Sequence, residues 1–144
     1  MSTPPSAQTV TDRLVTALQE TDLRVGDGQD RDAAGALTGR YVVVRPRTEA
    51  RGPGTAADPN ADRDPEVQIT AAGPSRRAAD QVAETARAVA LSALLPPPDG
   101  WQWRQVADYV TGTGPATEYT TDPTAPEAPS FYRVDVYRYH LTPA

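Results

Sequence analysis

The sequence predicts one α+β domain, in which two helices pack on one face of a largely antiparallel sheet of four to five strands. Two observations carry this prediction. Two segments place apolar residues at helical spacing, and the segments with strand composition mostly follow one another without a helix between them. The predicted element order is α-β-β-β-α-β-β. Strands joined without a crossover helix usually pair antiparallel, so a largely antiparallel sheet is expected.

Each predicted helix has one apolar stripe and a recognisable end. The first is expected from about Ala7 to Glu20, with the stripe Val10, Leu14, Ala17 and Leu18. The second is expected over roughly Ser75–Leu95, after the break Gly73-Pro74 and before the stop Pro96–Gly100. Its stripe is mostly small, which would let it lie close on a sheet: Ala79, Val82, Ala86, Val89 and Ala93.

The strands are predicted from β-branched and aromatic runs. In chain order they are Leu23–Val25, which is weak, Tyr41–Arg45, Glu66–Ala72, Trp101–Tyr109 and Phe131–Leu141. Two long polar stretches separate them, at 47–65 and 111–130, and both are expected to be loops. Connections of this length without structure of their own are uncommon and tend to be functional. The whole chain, 1–144, is expected to be a single domain with these two loops.

Composition excludes several classes of function. The chain has no cysteine, so disulfides and thiolate metal sites are ruled out. It has no lysine, which rules out a Walker-type phosphate loop. Its net charge of −5 argues against nucleic-acid binding. No apolar run approaches a membrane span, and the first residues do not resemble a signal peptide. We therefore expect a soluble protein made in the cytoplasm.

No catalytic constellation is recognisable. The one histidine, His140, lies near the end of the last strand, where we expect a surface or interface residue rather than a catalytic base. An alternating acidic run, Asp58, Asn60, Asp62, Asp64 and Glu66, resembles the start of a calcium loop. However, Arg63 stands where the loop needs glycine and Ile69 where it needs glutamate. We expect a hydrated loop, no cofactor and no enzymatic activity.

The last strand has apolar residues on both faces. One face carries Tyr132, Val134 and Val136, followed by Arg138 and His140. The other carries an aromatic row, which we define as Phe131, Arg133, Asp135, Tyr137, Tyr139 and Leu141. Helices can cover only one of these faces, so we expect the aromatic row to be exposed and to form a subunit interface. The alternative is that Tyr137 and Tyr139 lie under a long loop.

The order and pattern of these elements resemble the tail terminator proteins of long-tailed siphophages. The segments that carry the resemblance span nearly the whole chain: the helix Thr9–Glu20, the strands Arg40–Arg45 and Val67–Thr70, the helix Ser75–Arg87 and the closing segment Pro129–Tyr137. Members of that family form a hexameric ring that caps the tail tube, stops its polymerisation and provides the docking surface for the head connector. DNA passes through the bore, and the family has neither enzymatic activity nor a cofactor.

The resemblance implies specific partners for this chain. These are copies of itself in a ring, the tail tube protein and the head connector or stopper protein, within a virion neck assembled in the bacterial cytoplasm. Six residues of the two predicted loops are candidates for docking to tube and connector: Arg47, Arg51, Asp58, Asp62, Glu118 and Asp122. An acidic lumen would not attract phosphates, so DNA could slide through it.

Three alternatives remain open at this point. The chain could be another neck component, such as a head completion or connector protein. It could be a small binding domain with a pocket lined by Trp101, Trp103 and Tyr109. The third alternative is a metal-dependent hydrolase that uses three loop carboxylates, those of Asp58, Asp62 and Asp64.

Overall fold

Two helices and a twisted main sheet make up the structure, a computed structural model that describes residues 6–29, 31–32, 35–37, 39–51, 63–92, 95–112, 117–119 and 130–144. The helices are α1 (Ala7–Gln19) and α2 (Arg76–Ala90). The strands are β1 (Arg24–Asp27), β2 (Arg31–Asp32), β3 (Gly35–Ala36), β4 (Tyr41–Arg51), β5 (Arg63–Gly73), β6 (Trp101–Gly112), β7 (Thr117–Tyr119) and β8 (Ser130–Pro143).

The main sheet has the strand order β1-β4-β5-β8-β6, and β7 also pairs with β8. All of its pairs are antiparallel except β1 with β4, which are parallel. Strands β2 and β3 form a separate small hairpin. Both helices contact the same face of the main sheet and each other. The α+β class, the largely antiparallel sheet and the one-sided helical layer are therefore confirmed, and the predicted element order matches roughly, with β2, β3 and β7 as additional short strands.

The two long loops were predicted too long. Strand β4 continues to Arg51 and β5 begins at Arg63, so 48–51 and 63–65 are paired residues, and Arg47 falls in the register shift between them and Pro46. Pro46 does not end β4, because the register shifts between Pro46 and Thr48 and the bulge accommodates the missing N–H. In the second stretch, 111–112, 117–119 and Ser130 belong to strands. The rest of both stretches lies outside the described residues.

Strand β6 is an irregular edge of the sheet. Its pairing with β8 shifts register three times within twelve residues, between Trp103 and Gln105, between Gln105 and Asp108, and between Tyr109 and Thr111. Each shift adds an unpaired residue and increases the local twist. The outer side of this edge is therefore not a regular row of hydrogen-bonding groups.

Helix α2 begins in direct contact with the end of β5. The Ser75 side chain caps the helix by accepting a hydrogen bond from the Ala78 amide at 3.1 Å. Gly73 lies beneath this first turn, and a Cβ placed on it would stand 2.6 Å from the Ala79 nitrogen. A side chain at position 73 would thus push the helix away from the sheet.

The other end of α2 is held by two aromatic side chains. The Tyr139 hydroxyl donates a hydrogen bond to the Ala90 carbonyl at 2.9 Å, and Trp103 Nε1 donates one to the Leu95 carbonyl at 2.7 Å. The two rings are in tilted contact, with centroids 5.2 Å apart. The last carbonyls of a helix lack intrahelical partners, so the sheet supplies a donor where α2 ends.

The two tryptophans give a matched test of this anchoring. Trp101 is also buried, but within the described part of the chain its indole N–H meets no acceptor. We expect Trp103→Phe to cost about 1 kcal/mol more than Trp101→Phe in the free energy of unfolding, because only the first leaves a carbonyl unpaired. Urea unfolding followed by circular dichroism measures both. Equal losses would contradict the role of Trp103.

Candidate interaction surface

The aromatic row of the last strand is a core element, and the prediction that it is exposed is wrong. Tyr137, Tyr139 and Leu141 are each 0% exposed and belong to the cluster that joins helices and sheet. The pairing register gives the reason. Tyr137 lies opposite Val67 and Asp135 opposite Ile69, so the row shares the sheet face that α1 and α2 cover. These buried residues cannot form a subunit interface.

Of the charged members of the row, Arg133 links β8 to α2 and also contacts Asp135 on its own strand. Asp135 is 3% exposed, and its carboxylate accepts a hydrogen bond from Arg133 Nε at 3.3 Å. The Arg133 guanidinium also lies 3.9 Å from the carboxylate of Asp80 on α2. A buried carboxylate is costly without a partner, so this arginine compensates Asp135 inside the helix–sheet layer. Phe131 and Arg133 are half-buried.

The opposite side of the sheet is the surface that the helices leave uncovered, and we call it the helix-free face. By strand alternation it carries Tyr41, Val43 and Arg45 from β4, Asp64, Glu66, Gln68, Thr70 and Ala72 from β5, and Tyr132, Val134, Val136, Arg138 and His140 from β8. In each of the three strands the alternate residues are the ones packed under the helices.

Two ion pairs cross this face between β5 and β8. Arg138 and Glu66 are direct register partners, and the Arg138 Nη2 to Glu66 Oε1 distance is 2.8 Å. His140 Nδ1 lies 2.9 Å from Asp64 Oδ1, a pair that is ionic when the imidazole is protonated. Opposite charges on directly opposed strand positions stabilise the pairing and its register. They also give this part of the face a fixed charge pattern.

The rest of the helix-free face is partly apolar. Tyr41, Tyr132 and Val134 are half-buried. Three smaller side chains between them are at most 2% exposed: Val43, Ala72 and Val136. Tyrosine and arginine are residues that protein interfaces favour, and this face carries both, toward opposite ends of its strands. This face is therefore the candidate interaction surface of the molecule.

The region near β1 is covered by the chain itself. Leu37, which follows β3, is 6% exposed, and its Cδ1 would stand 2.9 Å from a Cβ placed on Gly26. Gly26 lies opposite Val43 in the register and so faces the same side of the sheet. Toward β5 and β8 the side chains of the helix-free face are half-buried, except those of Ala72 and Val136, which are buried.

The other predicted site residues are distributed as follows. Arg47 is exposed on β4, and Arg51 and Glu118 lie in β4 and β7. Asp58, Asn60, Asp62 and Asp122 lie outside the described residues. Of the carboxylates considered for calcium or hydrolysis, Asp64 and Glu66 are on β5 and contact β8. Docking through these residues stays a prediction.

The two tryptophans considered for a binding pocket belong to the core or pack against it. Trp101 is buried, and Trp103 packs against the core with its N–H bonded to Leu95. The Tyr109 side chain is outside the described residues. A groove of about 540 Å³ does occur, but it lies between α1 and α2 on the far side of the helical layer. Sequence reasoning missed this groove because its shape depends on how α1 and α2 lie against each other, which the sequence pattern does not show.

Comparison with known proteins leaves the family open. No protein-family model matches the chain, and no curated protein matches its sequence. Neither described helix combines the length and the apolar character that crossing a bilayer requires. Among the residues that the structure describes, no three histidine or carboxylate side chains are grouped as a metal site would need.

Proposed function

We propose that the chain is a non-catalytic structural subunit of a phage tail neck, similar to the tail terminators of long-tailed siphophages. In this role, copies form a hexameric ring that caps the tail tube, stops its polymerisation and joins it to the head connector. The observation that carries the proposal is the helix-free face: a side of the sheet that neither described helix covers, with half-buried tyrosines toward one end of its strands and the Glu66–Arg138 ion pair toward the other.

The helix-free face replaces the aromatic row as the proposed subunit contact. A closed ring needs heterologous contacts, in which one surface of a subunit meets an unlike surface of the next. Tyr132 supplies contact area of the kind that anchors interfaces, and Val134 adds apolar area next to it on the same face. The Glu66–Arg138 pair is already satisfied within the subunit, so covering it does not leave an unpaired charge.

The net charge is consistent with the proposed bore. With a net charge of −5, the subunit does not attract the phosphates of DNA, and a ring of such subunits lets DNA pass without binding it. No cofactor is required. The proposed partners beyond the ring are the tail tube protein and the head connector, and the proposed location is the neck of the virion.

A substitution at the centre of the helix-free face tests the proposed contact. Thr70 is half-buried there and lies opposite Val134. We expect Thr70→Arg to keep the fold but to abolish six-fold rings, because the long charged side chain prevents close approach of a neighbour. Analytical ultracentrifugation and negative-stain electron microscopy, with and without the tail tube protein, measure ring formation.

Gln8→Arg is the matched control, since Gln8 is exposed on α1 on the other side of the sheet. It should form rings as the unchanged chain does. If Thr70→Arg still forms rings, the contact is assigned to the wrong face. If the unchanged chain forms no ring even on tail tubes, the terminator proposal fails. In the virion, loss of a terminator gives overlong tails, whereas loss of a connector gives normal tails beside unattached heads.

A further inference from the structure

The outer side of the helical layer changes character along α2. The exposed or half-buried side chains of its first half are charged or carry an amide: Arg76, Arg77, Asp80, Gln81 and Glu84. Those of its second half that line the groove are small and uncharged: Thr85, Ala88 and Val89, followed by Ser92 after the helix. Covering the groove-lining side of this second half therefore removes no charge from water.

The α1 wall of the groove has a different pattern. Arg13, Thr16, Ala17 and Glu20 have the spacing i, i+3, i+4 and i+7, which places them on one side of the helix. A positive charge stands at one end of this stripe and a negative charge at the other. The two residues between them are small, which permits the 8–10 Å separation of closely packed helix axes.

We propose that a second copy of this chain docks in the groove, with the two α1 helices antiparallel across a two-fold axis beside Thr16 and Ala17. Arg13 and Glu20 are seven residues apart, about 10.5 Å along the axis at 1.5 Å per residue. An antiparallel arrangement centred between them sets Arg13 against the partner's Glu20, and Glu20 against the partner's Arg13. A parallel arrangement would oppose like charges, so the charge pattern selects the two-fold one.

The existing contact of Arg13 does not compete with this arrangement. Arg13 lies 3.6 Å from Asp99, whose side chain is fully exposed. An ion pair with one fully solvated partner contributes little stability, and the guanidinium has further N–H donors. In the dimer the partner's Glu20 approaches the same guanidinium from the groove side, where Thr16 and Ala17 leave room.

This dimer uses a surface other than the helix-free face. The groove lies on the outer side of the helices, whereas the helix-free face is on the opposite side of the sheet. Docking in the groove thus leaves the helix-free face open for the proposed ring contact. Each association can fail without the other, and the variants that test them do not overlap.

A charge exchange tests the inference in the full chain. Sedimentation equilibrium from about 1 µM to about 1 mM should show a monomer–dimer equilibrium. Arg13→Glu and Glu20→Arg, each alone, should raise the dissociation constant about tenfold or more, because each opposes like charges twice per dimer. The double variant R13E/E20R should return it to within about threefold of the unchanged chain, since the pairs are restored with reversed sign.

Two further variants keep the test specific. R77E/E84R exchanges charges with the same seven-residue spacing on α2 outside the groove, and should leave the dissociation constant unchanged. Ala88→Glu places a charge on the uncharged wall at an exposed helix position and should suppress the dimer without lowering the melting temperature. A chain that stays monomeric over the whole range, or a double exchange that does not recover, would overturn the inference. Rings that form without any dimer would leave the proposed function intact.

Discussion

Gly73→Ala is expected to lower the free energy of unfolding by about 2–3 kcal/mol, the upper range for overpacking a close contact. The added methyl would stand 2.6 Å from the Ala79 nitrogen and 2.9 Å from the Ala78 carbonyl carbon and Cβ. These are mostly backbone atoms of the first turn of α2, so no side chain can rotate away. The whole helix must move relative to β5, which disturbs its packing along the sheet.

Gly28→Ala is the control for this prediction. Gly28 has a positive φ of 75°, and a Cβ there meets nothing within 4 Å. Its substitution costs only the backbone strain of an L-residue in that conformation, about 1 kcal/mol. Urea unfolding of both variants separates steric overlap from strain. A loss at Gly73 no larger than that at Gly28 would show that α2 can shift freely over the end of β5.

Tyr139→Phe is expected to cost about 1–3 kcal/mol at neutral pH. The substitution removes the hydroxyl that donates to the Ala90 carbonyl and leaves that acceptor buried without its partner. The ring itself, and its contact with Trp103, are retained. The loss therefore reports the hydrogen bond that anchors the C-terminal end of α2. Equilibrium unfolding in urea measures it, and a loss below about 0.5 kcal/mol would contradict the anchoring role.

The same residue gives an alkaline pH dependence. Burial raises the pKa of the Tyr139 hydroxyl above its ordinary value near 10, and the neighbouring Tyr137 raises it further. Only the unfolded chain then loses this proton as the pH passes 10. The contribution of Tyr139 to the free energy of unfolding is therefore fully present below pH 10. It falls by about 1.4 kcal/mol per pH unit above pH 10.

Tyr139→Phe should remove this contribution to the alkaline slope. Tyr132→Phe removes a phenol from the helix-free face of the same strand and leaves Tyr139 in place, so it should keep the slope. Unfolding in urea between pH 8 and about pH 11 compares the three chains. An unchanged slope in Tyr139→Phe would show that the hydroxyl is not held neutral by the fold.

The helices were predictable because their periodicity is local. Helix α1 spans Ala7–Gln19 where Ala7–Glu20 was predicted, and α2 spans Arg76–Ala90 within the predicted Ser75–Leu95. Five apolar residues of α1 and six of α2 are buried on one side of their helix, and such a stripe indicates burial without any knowledge of the partner. The strand ends were less predictable, because the outer parts of β4 and β5 are paired but polar. Strand pairing cannot be recognised in the sequence where neither face of the strand carries apolar residues.

The candidate surface was assigned to the wrong side of β8 for a related reason. Alternation shows which residues share a face, but the register with β5 decides which face meets the helices. A usable signal was present in the sequence. Tyr137, Tyr139 and Leu141 are three consecutive large apolar residues of one face, whereas Arg138 and His140 break the other. Burial of those two under a helix would have required compensating charges.

The broken pairing of β6 has a consequence for aggregation. A long regular outer strand is a template on which further chains add without limit, and the fibres that result do not dissolve. Three register shifts within twelve residues interrupt such a template along β6. We therefore expect β6 to be a poor starting point for cross-β growth, even where many copies of the chain are close together.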